Sequence, residues 1–173
     1  RAPLNSILGY AQILQRDPTL PAPRREAIDV IHRSGRHLVG LIDGLLDIAR
    51  IEAGKLRLEN GELRLPEFLE QMVQMFRPQT SLKGLHFRYE CAPDLPQIVH
   101  IDEKRLRQIL INLVSNAIKY TQAGSVTISV RYRSQVADIA VRDTGIGIAP
   151  DDLERVFAPF DRGSSAEAQL QPG

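Results

Sequence analysis

The sequence predicts an α+β chain: a helical hairpin that pairs with a second copy in a dimeric four-helix bundle, followed by a two-layer α/β sandwich. Two observations predict this fold class. A heptad of apolar residues runs through residues 28–49, which is typical of a helix buried along one side. After Gly54, short alternating segments are interleaved with amphipathic helices, as in a compact α/β domain. We therefore expect two domains, residues 1–54 and 55–173.

The composition sets broad limits on function. The chain of 173 residues is 43% apolar, enough for a core, and 22 basic against 21 acidic residues give a formal net charge of +1. No basic stripe with interleaved aromatic residues is present, so we expect no nucleic-acid partner. The most apolar stretch, residues 38–48, is short and contains Asp43 and Asp47, so it does not predict a membrane span. We expect a cytoplasmic chain, with any membrane anchor in segments outside it.

The hairpin is predicted from two amphipathic helices, over residues 3–17 and from about Arg24 to Glu52. The proline-rich segment 18–23 separates them, and Gly54 supplies a stop for the second. Apolar residues recur in both with the spacing of one helix face. They are Leu4, Ile7, Ala11 and Leu14 in the first helix, and Ile28, Ile31, Gly35, Leu38, Ile42, Leu45 and Ala49 in the second.

The apolar stripe of the hairpin is too wide for two helices to bury against each other alone. A homodimer through residues 3–52 would bury it in a four-helix bundle. Each large apolar side chain buried there contributes about 1.5–3 kcal/mol before the ordering entropy is subtracted. The dimer is the simplest solution, and the alternative is a hairpin packed on the second domain of its own chain.

The second domain is predicted to mix strands and helices, with Asp102 as the N-cap of its strongest helix. Apolar residues alternate in the strands and recur at helical spacing in the helices. The predicted elements are, in order, a strand or hairpin over 56–65, a helix over 66–82, strands near 85–91 and 98–101, a helix over 103–120, strands over 125–133 and 135–142, a loop over 143–150 and a short helix over 151–157.

The helix over residues 103–120 has a polar stripe that suits a polyphosphate with its metal ion. At 3.6 residues per turn, Asn112, Asn116 and Lys119 lie within about 60° of arc. An amide oxygen can ligate Mg²⁺, and an ammonium group neutralises phosphate charge. Taken alone, the stripe is more typical of an ordinary solvated face with polar residues. The predicted core face of the helix comprises Leu106, Ile109, Leu110, Leu113 and Ala117.

A second candidate site is the loop after the last predicted strand, residues 143–148 (DTGIGI). Gly145 and Gly147 allow the backbone to turn sharply and to approach a flat ligand closely. The carboxylate of Asp143 can accept a hydrogen bond from an exocyclic amine. Alone, this motif is a weak signal, because a plain turn has the same pattern.

Together, these motifs resemble those of the sensor histidine kinases, in the same order and spacing and over essentially the whole chain. The resemblance implies that the second domain is an ATP-binding domain of the gyrase, chaperone, histidine-kinase and MutL type. The matching segments are 1–7 (RAPLNSI), which follows the phosphoacceptor histidine in the family, 48–55 (IARIEAGK) at the end of the second dimerisation helix, 112–121 (NLVSNAIKYT) at the N box, 141–148 (VRDTGIGI) at the first glycine box and 157–162 (FAPFDR) at the F box.

The resemblance implies ATP and Mg²⁺ as cofactors and assigns roles to matching residues. Asn116 would ligate Mg²⁺, with Asn112 assisting near the phosphates. Asp143 would bind the adenine amino group. The other nucleotide-binding positions that it implies are Lys119, Tyr120, Gly145, Gly147 and, from the lid, Arg162.

The phosphoacceptor histidine of the family would lie three residues before Arg1, so we expect no catalytic residue of that kind in this chain. The histidines that are present either lack the acidic residue that follows the phosphoacceptor or lie in strand-like segments. They are His32, His37, His86 and His100.

Two further departures from the family pattern bear on activity. The second glycine box would begin near Gly173, so we expect a piece of a longer kinase that does not autophosphorylate as it stands. Ala2 occupies a position where many members have Thr or Asn, which positions water for dephosphorylation of the partner protein. Its methyl group predicts weak phosphatase activity.

The predicted function is a protein-histidine kinase core. It would bind Mg-ATP, phosphorylate a histidine and pass the phosphoryl group to an aspartate of a response regulator. An ATP-hydrolysing relative would have a water-activating glutamate four residues before Asn116, where this chain has Asn112, a poor base. The remaining alternative is a non-catalytic dimeric interaction module that regulates another kinase, although a pure scaffold has no need of Asn116 and Asp143 together.

Overall fold

The computed structural model describes residues 2–153, which form two compact units divided between Arg57 and Leu58. The first unit contains the two helices of the hairpin, and the second contains all the strands found within residues 2–153. The elements are α1 (Ala2–Gln15), α2 (Ala22–Glu52), β1 (Gly61–Arg64), α3 (Leu65–Leu82), β2 (His86–Cys91), β3 (Ile98–Ile101), α4 (Glu103–Tyr120), β4 (Ser125–Arg133), β5 (Val136–Asp143) and a single 3-10 turn, Pro150–Asp152.

The first unit confirms the predicted hairpin. α1 and α2 begin and end within about two residues of the predicted positions, and Gly54 follows the last turn of α2, where its N–H donates to Ile51 O at 2.9 Å. Gln15 Nε2 donates to Asp29 Oδ1 at 2.6 Å and joins the two helices near their connection. Within residues 2–153, none of the helices is both long enough and apolar enough to cross a membrane.

The apolar heptad of α2 divides into two rows on neighbouring sides of the helix. In one row, Ile28 and Gly35 are buried within the hairpin. Gly35 lies so close to α1 that a Cβ there would be 2.8 Å from Leu8 Cδ2. The other row stays between 47% and 49% exposed, and it comprises Ile31, Leu38 and Leu45.

The apolar positions of α1 divide in the same way. Ala11 is buried and Leu4 half-buried, whereas Ile7 and Leu14 are exposed. Both helices therefore have an inner row, which the hairpin covers, and an outer row, which it leaves in water.

The second unit is built on two sheets. β1 pairs antiparallel with β3, and in a separate sheet β2 pairs parallel with β4, which pairs antiparallel with β5. The prediction of a strand within residues 56–65 is confirmed over residues 61–64. Its partner is the remote β3 rather than a neighbour in a local hairpin.

One hydrophobic core joins α3 and α4 to the three-stranded sheet and confirms the predicted α/β layering. Three alternate residues in the first two thirds of β4 belong to this core. The central members of the core are Phe68, Leu69, Met72 and Phe76 from α3, Leu110, Val114 and Ala117 from α4, and Val126, Ile128 and Val130 from β4.

The predicted core face of α4 is wrong, because the face that is buried is rotated slightly about the helix axis from the predicted one. Ile109 is 56% exposed and Leu113 is 46% exposed. The helix is buried instead through positions spaced by four, three and one residues, which are Leu110, Val114, Ala117 and Ile118. Val114, which the sequence interpretation left off the core face, is fully buried because it lies at the centre of this row.

Asp102 joins the start of α4 to the segment by which the chain enters this unit. Its Oδ1 accepts from Arg105 N at 3.0 Å, which confirms the predicted N-cap, and its Oδ2 accepts from Glu59 N at 2.9 Å. The residue is only 7% exposed. Hydrogen bonds from these backbone groups, that of Glu59 first, hold the pKa of Asp102 below its ordinary value.

We predict that Asp102→Ala lowers the Tm of this unit by roughly 5 °C at neutral pH, because the N-cap is lost and the Glu59 N–H loses its acceptor. The folded-state pKa of Asp102 lies below its ordinary value of 3.8, so its contribution is complete above that pH and is lost as the pH falls through the lowered pKa. The difference in Tm between native protein and variant should therefore shrink in acid, as measured by circular dichroism across pH.

The matched control is Asp94→Ala, which removes an exposed carboxylate from the turn between β2 and β3. Its Tm should equal that of the native protein. An equal loss in the control, or a difference for Asp102→Ala that persists in acid, contradicts the prediction.

Candidate functional site

The polar stripe of α4 lies on the surface of the second unit. Asn112 and Asn116 are exposed, and Lys119 is half-buried with its Nζ 5.4 Å from the centre of the Tyr120 ring. The exposed side chains of Ile109 and Leu113 are surface neighbours of this stripe, because Ile109 lies three residues before Asn112 and Leu113 three residues before Asn116. This surface therefore offers amide, ammonium and apolar groups side by side.

The C-terminal end of α4 is fixed by side chains that approach from inside the domain. Thr121 is fully buried, and its Oγ1 donates to Ala117 O at 2.7 Å. Lys83, just after α3, donates from Nζ to Ile118 O at 2.6 Å and to Lys119 O at 2.9 Å. Sequence interpretation missed Lys83, because its partners are 35 and 36 residues away and carry no signal of their own in the sequence.

The glycine loop after β5 docks against this same end of α4. Ile146 N donates to Tyr120 O at 3.4 Å. Gly145 lies so close that a Cβ there would be 2.5 Å from Tyr120 O and 2.8 Å from Asp143 Oδ1, so a side chain at this position has no space. Gly147 has φ +70°, a conformation that favours glycine.

Thr144 fastens the loop to the turn that follows α4. Its N–H donates to Ser125 O at 3.1 Å, and its Oγ1 accepts from Ser125 N at 2.9 Å. A Cβ on Gly124 would collide with Thr144 Oγ1. The residue between Asp143 and Gly145 thus has a structural role, which the sequence interpretation did not assign.

Asp143 ends β5 at the mouth of this loop. It is exposed, and its Oδ1 accepts from Gly145 N at 2.9 Å. This bond holds the carboxylate over the glycines. Because a carboxylate has acceptor capacity beyond one hydrogen bond, Asp143 can still receive a donor from a ligand.

The structure thus brings the two candidate motifs into contact at Tyr120. Arg162, the predicted phosphate-binding residue of the lid, lies outside the described residues, as do Phe157 and Phe160 of the predicted F box. The predicted site residues that the structure describes are Asn112, Asn116, Lys119 and Tyr120 on α4, and Asp143, Gly145 and Gly147 at the loop.

The donor set of the site suits a metal ion that arrives with an anion. Among residues 2–153, no three His, Cys, Asp or Glu side chains form a cluster that could hold a metal ion. The exposed amides of Asn112 and Asn116 can supply neutral oxygen ligands, and Mg²⁺ in proteins commonly takes its other ligands from phosphates and water.

Comparison with known families gives two matches, one in each unit. Residues 1–54 match the His Kinase A (phospho-acceptor) domain, and residues 101–173 match the family described as histidine kinase-, DNA gyrase B-, and HSP90-like ATPase. The first match corresponds to the helical hairpin. The second begins just before α4 and includes both candidate motifs.

Two curated relatives align along nearly the whole chain. Histidine protein kinase DivJ of Caulobacter vibrioides is 37% identical over 99% of this chain and 29% of its own length. Aerobic respiration control sensor protein ArcB of Escherichia coli is 38% identical over 92% of this chain and 21% of its own length. The chain thus spans less than a third of the length of these relatives.

A solved structure agrees in both fold and sequence. The crystal structure of full-length ShkA in complex with AMPPNP superposes with a TM-score of 0.73 at 34% identity, over 91% of this chain and 34% of its own. The two domain matches, together with relatives that align from one end of the chain to the other, show that this chain belongs to the sensor histidine kinases.

Proposed function

We propose that the chain is the core of a protein-histidine kinase. It binds ATP across the C-terminal half of α4 and the glycine loop, and the γ-phosphoryl group passes first to a histidine and then to an aspartate of a response regulator. The observation that carries this proposal is the contact of Tyr120 O with Gly145 and Ile146, which joins the two motifs in one surface. The AMPPNP complex of ShkA supports it, because AMPPNP is an ATP analogue and ShkA is 34% identical to this chain.

The glycine loop is proposed to receive the adenine ring. Asp143 would accept a hydrogen bond from the exocyclic amine of adenine, a donor that guanine lacks at the corresponding position. Gly145 and Gly147 present bare backbone, so that a flat ring can approach the loop closely. The apolar side chain of Ile146, which is exposed beside them, adds surface for the ring.

The polar stripe of α4 is proposed to face the phosphates. Asn116 would hold Mg²⁺ through its amide oxygen, with Asn112 assisting, and the ion when bound neutralises phosphate charge. Lys119 would add a positive charge near the same groups. Arg162 would reach the phosphates from the lid.

The chemical step requires positioning more than it requires a base. An imidazole nitrogen of the acceptor histidine attacks the γ-phosphorus, the bond from phosphorus to the bridging oxygen breaks, and ADP leaves with that oxygen. In such transfers the protein acts mainly by orienting the reactants and neutralising charge. Asn112 stands where a hydrolase would have its activating glutamate, so water is not favoured over the histidine as the attacking group.

The hairpin is proposed to dimerise through its outer row of apolar side chains. Ile31, Leu38 and Leu45 are spaced by seven residues and stay about half exposed in the single hairpin. Ile7 and Leu14 continue this surface on α1 with the same spacing. A second hairpin with the same repeat is the partner whose spacing matches, which gives a four-helix bundle over residues 3–52.

The proposed activity is tested on the full-length protein with ATP labelled in the γ-phosphoryl group. We expect label that is lost in acid and stable in base, as a phosphohistidine is, and transfer of that label to an added receiver domain. A full-length protein that binds ATP but acquires no label would overturn the kinase and favour the non-catalytic interaction module.

We predict that Asn116→Ala weakens binding of Mg-ATP to the full-length protein by about tenfold or more, since a ligand to the ion is lost. In EDTA, where the ion is absent, native protein and variant should bind ATP with closely similar affinity. Titration with a fluorescent ATP analogue in Mg²⁺ and in EDTA measures both values.

The control for this prediction is Gln74→Ala, which removes an exposed amide from α3, away from the stripe. It should bind Mg-ATP as the native protein does. If Asn116→Ala loses the same factor in EDTA as in Mg²⁺, the residue does not act through the ion.

We predict that Leu38→Glu converts the dimer to a monomer, because two charged side chains would face each other across an apolar seam. Light scattering after size-exclusion chromatography should give the mass of two chains for the native protein and of one for the variant. Arg33→Glu, also exposed on α2 but on the opposite side of the heptad, should remain a dimer. A native protein that is monomeric at high micromolar concentration contradicts the proposed bundle.

A further inference from the structure

We propose that Lys83 is a positioning residue for nucleotide binding. Its ammonium group fixes the C-terminal end of α4 and, through Tyr120, the glycine loop that docks there. The inference rests on the proposed function, because Lys83 would keep the polar stripe of α4 and the glycine loop at a fixed separation for the nucleotide.

The position of Lys83 is set by the end of α3. Its N–H donates to Gln79 O at 3.3 Å as the C-cap of that helix, and the chain then enters β2, where His86 N donates to Gly124 O at 2.9 Å. The segment that contains Lys83 therefore lies beside the turn that follows α4. The side chain of Lys83 is half-buried there, with its Nζ against the last turn of α4.

Three consecutive carbonyl groups at the end of α4 have assigned partners. Ile118 O and Lys119 O accept from Lys83 Nζ at 2.6 and 2.9 Å. Tyr120 O accepts from Ile146 N of the glycine loop. The last carbonyl groups of a helix have no partner within the helix. The donors Lys83 Nζ and Ile146 N therefore decide how the end of α4 is held in place.

A lysine suits this position for an electrostatic reason. The C-terminal end of a helix carries a partial negative charge, which a nearby cation stabilises. The proposed ligand, a nucleotide triphosphate, is an anion that binds along the same helix. Lys83 neutralises the partial negative charge at the helix end. It thereby reduces the repulsion between that end and the ligand, without itself contacting the ligand.

Removal of the ammonium group would be transmitted to the loop by close packing. Ile118 O and Lys119 O would then accept hydrogen bonds from water, and the last turn of α4 would shift towards solvent. Gly145 leaves no free space against Tyr120 O, since even a Cβ there would lie at 2.5 Å. A small displacement of Tyr120 therefore moves the loop, and with it the carboxylate of Asp143.

The experiment compares Lys83→Met with Lys83→Arg in the full-length protein. Lys83→Met keeps the stem and removes the donors, whereas Lys83→Arg restores a charged group with several donors. We expect Lys83→Met to weaken binding of a fluorescent ATP analogue about tenfold or more, and Lys83→Arg to recover most of that loss. Affinities are measured well below the Tm of each variant, so that every protein is folded.

Two controls separate positioning from a general loss of stability. Val73→Ala removes buried methyl groups from α3 and lowers the Tm, but it does not touch the end of α4. Lys104→Met removes an exposed lysine from the first turn of α4. Both should bind the analogue as the native protein does. Equal weakening by Val73→Ala, or unchanged affinity in Lys83→Met, would overturn the positioning role.

A second measurement keeps this inference distinguishable from the proposed function. Amide hydrogen exchange at Ile146, measured without nucleotide, reports directly on the bond to Tyr120 O. We expect faster exchange in Lys83→Met and native-like exchange in Lys83→Arg. If the native full-length protein binds no nucleotide, the proposed function fails, while accelerated exchange in Lys83→Met still establishes the link from Lys83 to the loop. Unchanged exchange overturns that link.

Discussion

The candidate site depends on one close contact, between the carbonyl of Tyr120 and the glycine loop. The two motifs that meet there lie more than 20 residues apart in sequence, on a helix and on the loop after a strand. Gly145 is required at the contact because the Tyr120 and Asp143 oxygens fill the space where a side chain would be. The contact has little tolerance, so the groups proposed to bind adenine and those proposed to bind phosphate keep a fixed separation.

The hairpin and the second unit differ in how far they bury their apolar surfaces. In the second unit, α3, α4 and the sheet bury one another, and β4 contributes Val126, Ile128 and Val130 to the core. In the hairpin, only the inner rows are covered, and the outer rows stay in water. A regular heptad with half its members exposed is hard to explain in a hairpin alone, because each half-exposed leucine forgoes about 1 kcal/mol of burial. This is the physical basis for the proposed dimer.

The features that could be predicted from the sequence are those with a local signature. Periodicity located the helices and strands, Asp102 marked the start of α4, and the polar stripe and glycine loop were visible as motifs. The core face of α4 was misjudged because Val114 and Leu113 are both apolar, and only the packing of the helix against the sheet selects one of them. Lys83 and Thr144 could not be predicted, because each acts through contacts with backbone groups that any sequence would provide.

α4 is stabilised at both ends by charged side chains that match the helix dipole. The carboxylate of Asp102 lies at its N-terminal end and the ammonium group of Lys83 at its C-terminal end. Each also joins α4 to another segment, since Asp102 binds Glu59 N and Lys83 follows α3. The exposed stripe of Asn112 and Asn116 therefore belongs to a helix that is fixed at its two ends and buried along its core face. The proposed phosphoryl transfer depends on positioning and is favoured by this rigid helix. Little conformational entropy of the helix has to be lost when the nucleotide binds, because the helix is already ordered.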